Sequence, residues 1–339
     1  MDFTNLGQKA KRLIDQYCMI ENGDVVLAAF SGGSDSSALL YYLTENFGGK
    51  NNICAAHLNH MIRGAEADGD EEFAVKICEK YGVAIFTERK NIPEIAKKTK
   101  KSIEEAARNE RYAFFTRTAE KIGRRVKVAT AHTASDNTES VLFNLSRGCG
   151  LEGLRGIMPV YKNIIRPLLL CSREDVLEYC EKYNIPYTED KTNSDEIYTR
   201  NFIRRNITSK LKEKFNNLDE NIFKTAEIAR GAADFLNFCA ESLIREYSGA
   251  LTPKTILSQH KSLRYAVIAK LYEKAVFPAE KKLEYRHVLS VEKLLENHGN
   301  LRKSIDLPGF ITAEVSPEKL IFEKAEEKKT SGGHRLLQK

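Results

Sequence analysis

Apolar positions in the first half of the chain fall into short unbroken runs separated by stretches of helical periodicity. Val25 to Phe30, Ile53 to Leu58, Val83 to Phe86 and Val126 to Ala131 have the length of buried strands. Each is followed by a dozen or more residues with apolar positions three or four apart. Strand then helix, repeated in this way, predicts an α/β fold, a doubly wound parallel sheet covered on both faces that binds ligands beyond the carboxyl ends of its strands. The first twenty residues predict an amphipathic helix with Leu6, Ala10, Leu13, Ile14 and Tyr17 on one side. Ser102-Ile-Glu-Glu105 reads as a full capping box at a helix start and Ser172-Arg-Glu-Asp175 as an approximate one.

Beyond about Lys214 the alternation stops. Ile222, Ala226, Ala229, Ala233 and Leu236 follow a helical period, further helical stretches follow at Leu263 to Ala275 and Lys281 to Glu296, and strand signals return around Leu307-Pro-Gly-Phe310 and Leu320-Ile-Phe322. This predicts a first domain over residues 1–214, a smaller, mainly helical second domain with a terminal hairpin over 215–325, and a disordered tail over 326–339. A length of 339 residues agrees with two domains.

No apolar run is long enough to span a membrane, and the beginning, Met-Asp-Phe-Thr-Asn, lacks the features of a signal peptide, so a cytoplasmic protein is expected. Seven cysteines without a Cys-x-x-Cys pair argue against a disulfide framework, a zinc ribbon or an iron-sulfur clamp. Cys18, Cys54, Cys78 and Cys180 lie in apolar-patterned segments and are expected in the core. The net charge of +6 is unevenly spread: Lys97 to Lys127 holds eleven Lys or Arg against four acids, and Tyr198 to Lys214 six against one. Such clusters suit a polyanion larger than a nucleotide.

Ser31-Gly32-Gly33-Ser34-Asp35-Ser36 joins the first strand to a helix carrying Leu39, Leu40 and Leu43. Adjacent glycines let the backbone approach an anion, and the helix N-terminus with the serine hydroxyls supplies donors, so the loop suits a polyphosphate. It is neither a Walker A loop nor a dinucleotide fingerprint. Asp35 among phosphate donors makes sense with magnesium between it and the phosphate oxygens.

After the fourth strand, Ala131-His132-Thr-Ala-Ser-Asp136-Asn137-Thr-Glu139-Ser140 enters a helix at the same sheet edge, and Asp136 and Glu139 share a helix face. They can hold a metal, orient an amine, take a proton from it, or merely favour the helix dipole. Arg108 and Arg111, at i and i+3 in Ala107-Arg-Asn-Glu-Arg-Tyr112, suit charge that builds on an α-phosphate. Asp190-Lys-Thr-Asn193-Ser-Asp195-Glu-Ile-Tyr198-Thr-Arg200-Asn201-Phe-Ile203-Arg204 combines an acceptor-rich turn with a cationic helix start.

The 31–36 loop resembles that of the N-type ATP pyrophosphatases. With His57-Leu-Asn59-His60, Ala107 to Tyr112, Ala131 to Ser140, Arg147-Gly-Cys-Gly-Leu-Glu-Gly-Leu154, Arg166-Pro-Leu-Leu169 and the 190–204 segment, the stretch from Val25 to Arg204 resembles the tRNA(Ile)-lysidine synthases. That resemblance implies an adenine nucleotide α-hydrolase-like PP-loop fold and a ligase that uses ATP and magnesium to adenylate the C2 oxygen of the wobble cytidine in a CAU-anticodon tRNA(Ile). Free L-lysine then displaces AMP, and the codon read changes from AUG to AUA. It implies that Ser31, Gly32, Gly33, Ser34, Asp35 and Ser36 hold pyrophosphate, with Asp35 on magnesium and His57 and Asn59 close to the adenosine. Arg108 or Arg111, with Arg200 or Arg204, would face the α-phosphate and RNA backbone, and Asp136 and Glu139 would engage lysine or metal. His132, Asp190, Asn193, Asn201 and Arg205 complete the expected tRNA-facing set. A homodimer is left open.

Thr133, Ser135 and Asn137 depart from the histidine, acid and glutamine common in that family. Its longer members carry a final RNA-binding domain, so a chain ending soon after Leu320-Ile-Phe322-Glu323 is expected to be a short or truncated form. The rival readings are a tRNA cytidine thiolase of the same fold, whose sulfur chemistry would have only Cys149 within a motif, and a non-catalytic RNA- or nucleotide-binding protein. Asp35, Asp136, Glu139 and the paired arginines count against the latter.

Overall fold

A computed structural model describes residues 4–47, 52–62, 64–123, 125–188, 202–275, 283–299 and 301–324. The expected disordered tail, residues 326–339, lies outside the described residues.

The described chain begins with α1 (Asn5–Gln16), whose N-cap Thr4 accepts from the Gly7 N–H. It continues through β1 (Val25–Ala29), α2 (Ser34–Asn46), β2 (Ile53–Asn59), α3 (Ala65–Tyr81), β3 (Ala84–Arg89), α4 (Ile92–Thr99), α5 (Ile103–Ile122), β4 (Val126–Ala129) and α6 (Ala134–Ser146). A single turn, α7 (Leu151–Leu154), precedes two short strands, β5 (Val160–Tyr161) and β6 (Ile164–Ile165), and α8 (Arg173–Lys182). The six-stranded sheet has the order β3-β2-β1-β4-β6-β5. Every pairing in it is parallel except β5 with β6, so the expected all-parallel sheet gains an antiparallel edge. Two-residue strands are too short for a periodic signal, which is why the sequence pattern stops at four.

Strand alternation divides the core into two layers. Val26, Ala28 and Phe30 pack with Leu6, Leu13, Leu39, Leu40 and Tyr179 from α1, α2 and α8. Val25 and Leu27 face the other way, with Val126, Val128 and the α5 residues Phe114 and Phe115. Both faces of β1 are therefore dry, which requires the unbroken apolar run.

The two capping motifs behave oppositely to expectation. Ser102 accepts from Glu105 N, but the Glu105 carboxylate pairs with Lys101. Asp175 closes the complete box with Ser172 and also takes Lys9 Nζ at 2.5 Å, tying the start of α8 to α1. Cys54, Cys78 and Cys180 are buried, whereas Cys18, expected inside, is exposed at a positive φ just after α1.

The chain resolves into two compact units, 1–148 with 153–227, and 149–152 with 228–339. A π-helical turn (Ile203–Thr208) and α9 (Ser209–Lys214) belong to the first unit. The boundary falls within α10 (Leu218–Glu246), because Phe223 joins the first core. The second unit holds α11 (Pro253–Leu257), α12 (Lys261–Ala275), α13 (Tyr285–Glu296) and a three-stranded antiparallel sheet, β7 (Lys303–Leu307), β8 (Ile311–Val315) and β9 (Leu320–Lys324). This is a meander where a hairpin was expected. The Leu307 to Phe310 signal marks its first turn, with Gly309 and Phe310 at positive φ. Among the described residues no helix is long and apolar enough to cross a membrane.

One glycine is fixed by its surroundings. Gly156 has φ +61°, and a Cβ there would lie 2.3 Å from Asn137 Oδ1, which accepts from Ile157 N–H at 2.9 Å. Gly156→Ala combines left-handed strain with loss of that contact, so a destabilisation of about 2–4 kcal/mol is expected in urea unfolding. A change below about 0.5 kcal/mol would contradict this packing.

Candidate active site at the carboxyl edge of the sheet

Strand order reverses between β1 and β4, so the segments leaving their carboxyl ends diverge and open a crevice. The loop after β1 forms one wall. Gly32 adopts φ +90°, with Thr188 Oγ1 and a Phe73 ring carbon 3.2 and 3.3 Å from where a Cβ would stand. Its carbonyl accepts from Thr188 N at 2.9 Å and from the Ser37 hydroxyl at 3.3 Å. Ser36 Oγ accepts from Ser31 N at 3.2 Å, donates to Gly33 O at 2.9 Å and lies 3.1 Å from Ser31 Oγ, which closes the loop on itself. α2 has Gly33 as N-cap and no side-chain cap, an arrangement of leading N–H groups that suits an anion.

Asp35, in the first turn of α2, is held by Arg173 Nη1 at 2.5 Å, and the same nitrogen donates to Ser34 Oγ at 2.6 Å. Arg173 opens α8, the helix anchored by the Asp175 capping box. Burial raises the Asp35 pKa above the ordinary carboxylate value; Arg173 opposes this, the nearby Asp136 carboxylate adds to it, and Arg204 opposes it more weakly. The two acids thus share one electrostatic neighbourhood with two arginines.

Asp136 caps its own helix: its Oδ2 accepts from Thr133 N at 2.7 Å and Thr133 Oγ1 at 3.0 Å. Glu139, one turn on and buried, pairs with Arg204 Nε at 3.2 Å. Arg204 sits in the π-helical turn, an irregularity often found at functional sites. Asp219 at the start of α10 accepts from Ser135 Oγ at 3.1 Å and Thr138 Oγ1 at 2.7 Å and pairs with Lys212 at 2.7 Å. Thr133, Ser135 and Asn137, the departures from the expected motif, are therefore all engaged in positioning α6.

A cationic wall completes the crevice. The guanidinium of Arg108 lies over the Tyr112 ring at 5.3 Å, and Arg111 Nη2 is 3.4 Å from His60 Nε2. Arg166, buried, donates to Met158 O at 2.5 Å, and Tyr112 hydrogen-bonds it. His132 Nδ1 is 2.9 Å from Thr130 Oγ1. Burial pushes the His132 pKa down to about 4; Asp136 opposes this, and Arg166, Arg108 and Arg111 reinforce it. The imidazole is neutral at pH 7. On the other side, His57 Nδ1 is 2.9 Å from Phe30 O, and its Nε2 is buried without a protein partner among the described residues. Burial holds its pKa below the ordinary value, so Nδ1 carries the proton and Nε2 remains an acceptor. Asn59 is occupied differently, donating to Ala67 O, Asp68 and Glu71 and accepting from Met61 N. It braces the strand end against α3.

Ser31 to Ser36, Asp136, Glu139, Arg204 and His132 thus gather where β1 and β4 end, Arg108 and Arg111 stand beside His132, and Arg205 is exposed on the π-helical turn. Asp190, Asn193, Arg200 and Asn201 lie outside the described residues. Sequence reading passed over Arg173, Tyr112 and Arg166 as site members. Arg173 was read only as part of a helix start, although an arginine in the first turn of a helix opposes the dipole and thereby signals another use.

Residues 4–211 match the PP-loop domain family. The chain is 36% identical to a tRNA(Ile)-lysidine synthase of Caldanaerobacter subterraneus subsp. tengcongensis, an alignment covering 97% of this chain and 72% of that protein. It is 33% identical to a tRNA(Ile)-lysidine synthase of Clostridioides difficile, covering 94% of this chain and 70% of the relative. Among solved structures, the U34-tRNA thiolase NcsA of Methanococcus maripaludis, with its [4Fe-4S] cluster, superposes with a TM-score of 0.55 at 22% identity, over 66% of this chain and 77% of the other, a likeness of fold.

The neutral His132 has a measurable consequence. From pH 6.5 down to about 4 the unfolded chain takes up a proton that the folded imidazole resists, so stability falls as pH drops through that window. His132→Gln is expected to flatten this loss in urea unfolding at pH 7 and 4.5, and the native ring should show no NMR titration above pH 5. A His132 titration near 6.5 would contradict the assignment.

Proposed function

The chain belongs to the tRNA(Ile)-lysidine synthase family of PP-loop proteins, and from that membership we propose how its crevice carries out the reaction. The enzyme is an ATP-dependent ligase acting on the wobble cytidine of tRNA(Ile). The cytidine C2 oxygen attacks the α-phosphorus of ATP and pyrophosphate leaves. The side-chain amine of free L-lysine then attacks C2, loses a proton, and AMP departs with the oxygen. Activation is required because an amide-like oxygen is a poor leaving group until joined to phosphate.

The observation that carries this reading is the convergence of the uncapped α2 N-terminus, Asp35, Asp136 and the Glu139–Arg204 pair on one strand-order reversal. Ser31, Ser34 and the first N–H groups of α2 hold pyrophosphate, while Ser36 keeps the loop closed. The donor set fits magnesium, which takes one or two carboxylates and fills its remaining positions with phosphate oxygens and water. Asp35 and Asp136 would hold it, and the ion would offset charge on the departing pyrophosphate. Arg173 orients Asp35 and opposes the rise that burial imposes on its pKa. His57 Nε2 offers an acceptor to the adenine amine. Arg108 and Arg111 meet charge growing on the α-phosphate, since a guanidinium cannot lose its proton. Glu139, oriented by Arg204, receives the lysine amine and takes its proton. Identity of 33–36% to lysidine synthases along nearly the whole chain outweighs the 22% fold likeness to a thiolase.

Nucleoside mass analysis of tRNA(Ile) incubated with protein, ATP, magnesium and lysine is expected to show lysidine; unmodified or thiolated cytidine would overturn the reading. Because the fold favours the neutral form of Asp35, Asp35→Asn should keep native stability while AMP release falls at least a hundredfold. Arg173→Gln removes the main influence that lowers the Asp35 pKa. The acid limb of its kcat/KM profile for ATP should therefore move to higher pH, with Arg173→Lys between it and the native enzyme; coincident limbs would exclude Arg173 from this role.

A further inference from the structure

Beside the crevice, within the same compact unit, an open, solvent-facing pocket of about 420 Å³ lies between α6 and the start of the π-helical turn, lined by Phe143, Ser146, Arg147, Phe202, Ile203 and Ile207. Its size falls within the range of small-molecule sites, about 300–1,000 Å³. Phe202 is 51% exposed, so its ring can be reached from solvent. Across the pocket the Arg147 guanidinium lies 5.2 Å from the centre of the Phe143 ring. Aromatic faces beside a guanidinium plane form a stacking platform for nucleobases, which are gripped through their π-faces.

Placement on the helix selects the occupant. Phe143 and Arg147 follow Glu139 by four and eight residues, which is about 6 and 12 Å along the axis of α6. Ile203 directly precedes Arg204, the partner of Glu139. The pocket therefore begins one turn beyond the carboxylate assigned to the lysine amine, too far for the ring being modified and within reach of the next nucleotide. Arg147, which lines the pocket, and Arg204 and Arg205, which follow Ile203 in the chain, are exposed cations that complement a phosphate backbone. We propose that this pocket is a stacking subsite for the base of a nucleotide flanking the wobble cytidine, holding the anticodon loop splayed while the cytidine enters the crevice. This rests on the function proposed above.

The test measures the affinity of the full chain for the tRNA(Ile) transcript, with and without an abasic site at each nucleotide flanking the wobble position. Phe202→Ala is expected to weaken binding roughly 5- to 150-fold, in line with about 1–3 kcal/mol per stacked base. Phe202→Tyr should retain affinity, and ATP affinity and thermal stability should stay native in both variants. One abasic substitution should reproduce the loss with the native protein and add nothing to it in Phe202→Ala. Native tRNA affinity in Phe202→Ala, full additivity at both flanking positions, or an effect only on self-association would overturn the subsite while leaving the proposed function standing. Failure of the native protein to bind the transcript would overturn the function itself.

Discussion

Two carboxylates, Asp35 and Asp136, occupy one neighbourhood at the carboxyl ends of adjacent strands, and the rest of the site is arranged around their mutual repulsion. Burial and Asp136 both push Asp35 toward its neutral form, and Arg173 and Arg204 pull it back. Such a pair is unfavourable in a resting fold, and in the proposed reaction a cation with polyphosphate would relieve it. The compensating arginines come from distant parts of the chain, α8 and the π-helical turn, so the acids can be kept close only once the whole first unit is folded. The capping box at Ser172 and the Lys9–Asp175 pair matter here because they fix the base of Arg173.

The opposite wall poses the complementary problem. Arg108, Arg111 and Arg166 crowd around His132 and Tyr112, and burial with their charges keeps the imidazole neutral. A cluster of cations on this side and acids on the other suits a substrate that carries negative charge into the crevice. Among the described residues the buried Arg166 meets Met158 O and Tyr112 and no acid, so its charge adds to the field of the whole wall.

Much of this was legible along the chain. Strands β1, β2 and β4 follow from apolar runs dry on both faces, and β3 extends beyond its run because an edge strand tolerates Thr87, Glu88 and Arg89. The Ser31 to Ser36 loop was legible because two glycines, three hydroxyls and an acid between a strand and a helix have few other uses. Glu139 and Asp136 could be placed on one helix face by spacing alone. Their separate employment could not: Asp136 turns back to Thr133, and Glu139 reaches Arg204, 65 positions away. The antiparallel edge and the meander of the second unit were missed because two-residue strands have no period and because Gly309 with Phe310 makes a turn inside an apolar stretch.

The sequence by itself determined the parallel sheet, the anion-binding bend and the family, since each is written in contiguous residues whose local chemistry has one economical use. Only the tertiary structure decided that Arg173 meets Asp35, that Asn59 is spent on α3, that His57 Nε2 is buried without a hydrogen-bond partner among the described residues, and that Phe202 faces a pocket beside α6. Those outcomes depend on strand order and on which helix covers which face. Pairings across such sequence distances are set by packing of the whole unit, and local pattern carries no record of them.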